Sequence, residues 1–190
     1  MPIQLSLILG PMFAGKSTFM ITKINTINEQ IRNAGKNPDS IITVNHSSDA
    51  RYDSGKICSH DGLKKNCITT DKLSNIPMNT FINAEYIFID EGQFFNDLYD
   101  VITNIIKLSS QSASNKFIFI SGLDGDYNQR PFSNSRILEL IPYATIIIKL
   151  TARCYKCGEP APMTKRLINS NETILVGGAD MYQPCCYLHM

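Results

Sequence analysis

Tryptophan is absent from this chain of 190 residues, and so is a surplus of charge of either sign: 18 Lys and Arg stand against 17 Asp and Glu, a formal net charge of +1. The missing tryptophan, set beside abundant Asn, Ile and Lys, fits an A/T-rich coding sequence and carries no functional information. The missing charge surplus is more telling. A near-neutral chain without a basic stripe exerts no general pull on nucleic acid or an anionic membrane. No apolar run reaches the roughly 20 residues that cross a bilayer. No basic n-region followed by an apolar h-region precedes the first strand. The expectation is a cytoplasmic protein with neither membrane nor nucleic acid as partner. Repeats and low-complexity tracts are also lacking. Cysteine is sparse before residue 150, where Cys58 and Cys67 are isolated, and clusters at Cys154, Cys157, Cys185 and Cys186. A disulfide framework is unusual in a cytosolic protein. At 43% apolar residues the chain has the composition of a globular protein, long enough for one full domain and a small appendage.

The stretch Gly10-Pro11-Met12-Phe13-Ala14-Gly15-Lys16-Ser17 fits G-x-x-x-x-G-K-[ST] at every fixed position. An apolar run, Ile3 to Leu9, reads as a buried strand before it. From Lys16 to about Ala34 the chain reads as a helix, with Phe19, Met20, Ile24, Ile27 and Ile31 on one face and Gly35 as its stop. Strand, loop and helix in that order let the loop's N–H groups wrap a phosphate at the positive end of a helix dipole. Lys16 adds a full charge, and the Ser17 hydroxyl can ligate Mg²⁺. A nucleoside triphosphate site follows.

A second signal is Tyr86-Ile87-Phe88-Ile89-Asp90-Glu91, an apolar strand ending in an acidic pair. Asp90 is placed to hold Mg²⁺ opposite Ser17. Glu91, one residue on, is placed to take a proton from an attacking hydroxyl or water. Of the aromatics that follow, Phe94 and Phe95, one suits a flat organic ring and the other the core. Further strands are expected at 40–45, 116–121 and 145–150, the last read as a core strand, with a short one near 66–69. Helical segments are expected at 71–75, 98–108 and 136–141. Strands alternating with helices, several of them continuously apolar, predict an α/β fold: a P-loop NTPase-type parallel sheet with helices on both faces, occupying residues 1–150. The polar loops at 46–62 and 122–132 lie C-terminal to strands, where ligands of such sheets collect.

Composition shifts at Thr151. Cys154-Tyr155-Lys156-Cys157 is one zinc knuckle, and a second pair near the C-terminus completes a Cys₃His set with His189 through either Cys185 or Cys186. Such a closed set is structural, and it would tie the roots of a loop of about twenty-five residues, long enough to be a lid.

Together these pieces resemble the type II thymidine kinases. The resemblance rests on Gly10 to Thr18, Asp49-Ala50-Arg51-Tyr52, Ser59-His60-Asp61, Asp90-Glu91-Gly92-Gln93-Phe94-Phe95, Gly122-Leu123-Asp124-Gly125, Arg130-Pro131-Phe132, Thr164-Lys165-Arg166-Leu167 and Gly177 to Tyr182. It implies transfer of the ATP γ-phosphate to the 5′-hydroxyl of thymidine, with Glu91 as general base and Ser17 and Asp90 around Mg²⁺. It implies an ATP site formed by Gly10, Pro11, Met12, Phe13, Ala14, Gly15, Lys16, Ser17, Thr18, Asp49, Arg51, Asp90 and Gln93. A thymine pocket would be formed by Met12, Phe94, Leu123, Tyr127, Phe132, Thr164 and Tyr182. Residues 151–190 would form a zinc-binding lasso domain, with Leu175 and Gly177 nearest the base and Cys154, Cys157, Cys186 and His189 as zinc ligands. A homotetramer and feedback inhibition by dTTP are also implied. This chain departs from the family in Tyr127, where Phe is common, in Asn128-Gln129, where basic residues are common, in Asp126, and in His189, where the last ligand is usually Cys. A nucleic-acid-stimulated P-loop ATPase with a zinc-ribbon module is the alternative reading, and a non-enzymatic nucleotide-binding regulator a third. The charge balance weighs against the ATPase, and the intact Lys16, Ser17, Asp90 and Glu91 against the regulator.

Overall fold

The structure is a computed structural model that describes residues 2–37, 40–49, 56–58, 64–112, 115–169, 175 and 177–190. The first strand, β1 (Ile3–Leu9), runs into helix α1 (Lys16–Asn33). Next come β2 (Ile41–His46), the short strands β3 (Lys56–Cys58), β4 (Lys64–Asn66) and β5 (Ile68–Thr70), helix α2 (Met78–Asn83), β6 (Tyr86–Ile89), helix α3 (Leu98–Gln111), β7 (Lys116–Gly122) and β8 (Ile146–Lys149). Six of these strands form one sheet in the order β5-β2-β6-β7-β1-β8, every pairing parallel. The expected α/β sheet is therefore present.

Alternation along each strand explains the continuous apolar runs. Leu5, Leu7, Leu9, Ile87, Ile89, Ile118 and Ile120 pack with α2 and α3 on one face. Ile8, Phe88 and Phe119 pack with Met20, Ile24, Ile27 and Ile31 of α1 on the other. A strand covered on both sides must be apolar at odd and even positions alike. On the α1 face the rings of Phe88 and Phe119 stack at 4.8 Å and those of Tyr86 and Phe117 at 5.1 Å. Gly35 stops α1 as expected: it sits at φ 63°, and the N–H groups of Gly35 and Lys36 return to the carbonyls of Arg32 and Ile31.

Four features differ from the sequence-based expectation. The hairpin of β3 and β4, and helix α2, were not foreseen; each is too short for a periodic signal. Residues 137–143 form 3₁₀ rather than α-helix, consistent with Pro142 inside the segment. Strand β8, expected in the core, is a sheet edge with Ile146 40% and Ile147 48% exposed.

After Thr151 the chain forms two small antiparallel ladders. The strands β9 (Ala152–Arg153) and β10 (Pro160–Ala161) flank the first knuckle. The strands β11 (Met163–Arg166) and β12 (Tyr182–Cys185) pair in the register Arg166 to Tyr182 and close the root of the loop between them. Ala152, Cys154, Ala161 and Cys186 form a separate apolar cluster, and Phe13 and Ala14 of the P-loop pack against it. No helix among the described residues is long and apolar enough to cross a membrane.

Candidate active site

In a parallel sheet all C-terminal strand ends meet at one edge, so the ends of β1, β6 and β7 bring Gly10, Asp90 and Gly122 together. Strand β7 lies between the other two. At its end the Ser121 hydroxyl donates to Asp90 Oδ1 and so ties β7 to the acidic pair.

The P-loop needs glycine at two positions for different reasons. A Cβ on Gly10 would lie 2.5 Å from the Leu150 carbonyl oxygen, so the loop passes too close to the β8 exit for any side chain. Gly15 has open space around it but takes φ 80° at the N-cap of α1, a left-handed conformation that favours glycine. Lys16 is buried, and its ammonium donates to the Pro11 carbonyl at 2.7 Å, which holds the charge across the loop. The Met12 N–H donates to Thr164 Oγ1 at 2.9 Å and links the loop to β11.

Asp90 is 2% exposed. Its Oδ1 also accepts the Glu91 N–H at 3.0 Å, whereas Oδ2 is buried with no hydrogen-bond partner. Burial pushes the carboxyl up to about 6 and the neighbouring Glu91 charge adds to the shift; hydrogen bonds from Ser121, Ser17 and the Glu91 N–H oppose it. A buried carboxylate with an unpartnered oxygen beside the Ser17 hydroxyl is a donor set that fits a hard divalent cation.

Glu91 sits at φ 53°, ψ 40°, a left-handed conformation that costs a non-glycine residue free energy and that gathers at functional sites. Gly92 follows under steric compulsion, since a Cβ there would lie 2.9 Å from Ile120 Cγ2. Gln93 is 1% exposed; its Nε2 reaches Glu91 Oε2 at 2.5 Å and its Oε1 accepts the Leu123 N–H at 2.9 Å. The two aromatics divide as expected: Phe95 is fully buried in the core and Phe94 only half-buried. His46, at the end of β2, packs its ring against both, at 5.7 Å from Phe94 and 4.7 Å from Phe95.

Around this centre the loops from β7 and β11 meet. The Arg166 guanidinium lies 3.7 Å from the Tyr127 ring centroid, and its Nε and Nη2 donate to the Tyr182 hydroxyl, at 2.9 Å for Nη2. That hydroxyl in turn donates to the Leu175 carbonyl at 2.6 Å. Tyr127, Tyr182 and Leu175 are thereby joined. Asp126 turns inward on its own loop, where Oδ1 accepts the N–H groups of Asn128 and Arg130. A Cβ on Gly177 would meet Met181 Sδ at 2.2 Å. Phe132 is half-buried, and its carbonyl accepts the Arg136 N–H. The Thr18 carbonyl accepts the Thr22 hydroxyl one turn along α1. Asp49 Oδ2 accepts from the Asn45 side chain at 3.1 Å, just beyond β2. Arg51, Ala50 and Tyr52, like Ser59-His60-Asp61, lie outside the described residues.

The ligand atoms of Cys154, Cys157, Cys186 and His189 lie within 4.8 Å of one another. Cys157 and Cys186 sulfurs are 3.7 Å apart, and His189 Nδ1 is 3.4 Å from Cys154 and 3.3 Å from Cys186. Metal–ligand bonds of about 2.0–2.3 Å make tetrahedral edges of about 3.3–3.8 Å, so the set fits zinc. Burial works against ionisation of Cys154, but N–H groups of Cys186, Lys156 and Cys157 outweigh it and hold the thiol down at about 5. Cys185 points elsewhere, toward the Met163 carbonyl and Met190 Sδ. The choice between Cys185 and Cys186, open in the spacing, falls on Cys186.

Ser121, His46 and the bridging use of Gln93 carry no local signal. Each acts on residues far away in the sequence, and only the register of β2, β6 and β7 brings the partners together.

A thymidine kinase family profile matches residues 3–190. A thymidine kinase of Oryza sativa subsp. japonica is 34% identical across 99% of this chain and 66% of its own length. Thymidine kinase a of Arabidopsis thaliana is 36% identical across 96% of the chain and 72% of its own. The thymidine kinase of monkeypox virus is 35% identical across 96% of the chain and 94% of its own. With a match across nearly its whole length, and with the P-loop, the acidic pair and the Cys₃His cluster in one fold, this chain belongs to the thymidine kinase family.

Proposed function

We propose that this protein transfers the γ-phosphate of ATP to the 5′-hydroxyl of thymidine, giving thymidine monophosphate. The observation that carries the reading is the Asp90–Glu91 pair at the end of β6, beside an intact P-loop. Phosphoryl transfer asks for positioning and charge neutralisation more than for covalent chemistry. The amides of residues 10–18 receive the triphosphate, and Lys16 exchanges the Pro11 carbonyl for phosphate oxygens. Ser17 and Asp90 Oδ2 would hold Mg²⁺, which neutralises charge on the phosphates when bound. Glu91 accepts the proton of the 5′-hydroxyl. Arg51 adds charge stabilisation, and Asp49 completes the ATP side of the cleft.

Met12, Phe94, Leu123, Tyr127, Phe132, Thr164 and Tyr182 surround the thymine ring, and Leu175 and Gly177 offer it backbone groups. Residues 151–190 act as a zinc-binding lasso domain whose ligands Cys154, Cys157, Cys186 and His189 fix the loop's root. Inhibition by dTTP fits a cleft that receives both a triphosphate and a thymidine. The exposed Ile146 and Ile147 on edge strand β8 support assembly into a homotetramer. The experiment is a phosphate-transfer assay with ATP against each natural deoxynucleoside, without nucleic acid. Thymidine is expected as the preferred acceptor. ATP hydrolysis that appears only when DNA or RNA is added, with no phosphorylated nucleoside, would contradict the reading.

A further inference from the structure

Gln93 makes two hydrogen bonds that together constrain how its amide is oriented. The Leu123 N–H can only donate, so the atom facing it is the carbonyl oxygen, Oε1, at 2.9 Å. The amide NH₂ therefore faces Glu91 and donates to Oε2 at 2.5 Å. The side chain is 1% exposed, so water does not compete for either bond. Its surroundings fix it further. A Cβ on Gly122 would lie 2.8 Å from Gln93 Oε1, so glycine there leaves the space in which the amide oxygen sits.

We propose that Gln93 is a positioning residue that aims the Glu91 carboxylate at the acceptor hydroxyl and ties that aim to the loop beginning at Leu123. The proposal rests on the thymidine kinase reading of the site. A carboxylate at the end of a left-handed residue has free side-chain torsions unless something holds it, and a misplacement of about 1 Å can cost on the order of a hundredfold in rate. The amide supplies that hold at Oε2 of the carboxylate that takes the proton. Because the other end of the amide is anchored on Leu123, the base and the loop that carries Leu123 and Tyr127 hold one register. Gln93 thus acts through Glu91 and the loop, and its buried side chain has both polar atoms committed there rather than to the nucleotide.

The test uses the whole protein, with kcat and the KM values for ATP and thymidine measured for five forms beside wild type: the two single Gln93 variants, Glu91→Gln and the two double variants. Gln93→Leu removes both bonds. Gln93→Glu keeps an acceptor for the Leu123 N–H and replaces only the donor to Glu91, which keeps the test sound if the leucine variant does not fold. Both are expected to lose about tenfold or more in kcat, with each KM within about threefold of wild type. In a Glu91→Gln background, adding Gln93→Leu or Gln93→Glu is expected to change kcat by less than about twofold, since the group it positions is already gone. A residue that only supports the fold would cost the same factor in both backgrounds. Wild-type kcat in Gln93→Glu, a loss carried by KM, or fully multiplicative losses would overturn the inference while the proposed function stands. Absence of any transfer to thymidine by the wild type would overturn both.

Discussion

The ring of His46 is satisfied on both nitrogens only when it is neutral. Nδ1 accepts the Ser48 N–H at 3.0 Å, and Nε2 donates to the Asp71 carbonyl at 3.1 Å. Burial lowers its affinity for a proton, and the charges of Asp71, Glu91 and Asp97 only partly restore it. The unfolded chain, with an ordinary histidine near 6.5, then binds the proton first. Stability contributed by His46 is therefore complete above about pH 6.5 and drains as the pH falls below it, by at most about 1.4 kcal/mol per pH unit. Thermal unfolding of wild type and His46→Gln across pH 5 to 8 checks this: the two curves are expected to converge as the pH drops. Lys16→Ala is a second residue-scale case. Removing the ammonium that bonds Pro11 is expected to abolish transfer while leaving the circular dichroism spectrum of the fold unchanged, and residual transfer near wild type would count against the phosphate role. Lys16, Asp90 and Glu91 were legible in the sequence because their signals are local: fixed spacing after a strand, or an acid at a strand's end. Gln93 and Ser121 were not legible in these roles, since Leu123, which anchors Gln93, and Asp90, which Ser121 holds, lie about thirty residues from them.

At the scale of elements, the strands β11 and β12 decide which cysteine joins the Cys₃His cluster. Successive side chains on a strand face opposite ways, so Cys185 at the end of β12 and Cys186 just after it cannot both face the cluster. Spacing alone could not resolve a difference of one residue; the ladder register does. Cys186→Ser is expected to lower bound zinc measured by atomic absorption, whereas Cys185→Ser keeps it. The reverse result would reassign the ligand. The P-loop offers a steric counterpart. Gly10→Ala places a methyl 2.5 Å from the Leu150 carbonyl, so the loop or the β8 exit must move. A rise of at least about tenfold in the ATP KM is expected, and an unchanged value would mean that the loop tolerates the shift. Strand β8 shows where pattern reading stops. Its continuous apolar run looks like an interior strand, yet the sheet order places it at an edge, and sequence periodicity carries no information about strand order.

At the scale of the whole molecule, the loop 10–17 joins the sheet to the chain after Thr151. Phe13 and Ala14 pack on the cluster that contains Cys154 and Cys186 of the Cys₃His set, and Met12 bonds Thr164 on β11. Arg166, between Tyr127 and Tyr182, joins the lasso to the loop after β7. Zinc removal by a chelator is accordingly expected to raise the thymidine KM more than the ATP KM, while the sheet with its two apolar faces keeps the fold. An unchanged thymidine KM after verified zinc loss would separate the lasso from acceptor binding. The fold class was readable from alternating strands and helices; the coupling was not, because it depends on how residues 151–190 sit against a loop formed 140 residues earlier. The central claim is that the acidic pair makes a nucleotide cradle into a phosphoryl-transfer centre with Glu91 as its base. The most direct measurement is steady-state transfer by Glu91→Gln, with ATP and thymidine binding followed by calorimetry. The account predicts binding within about threefold of wild type and a kcat lower by about a hundred- to ten-thousand-fold. A kcat near wild type in that variant would contradict it.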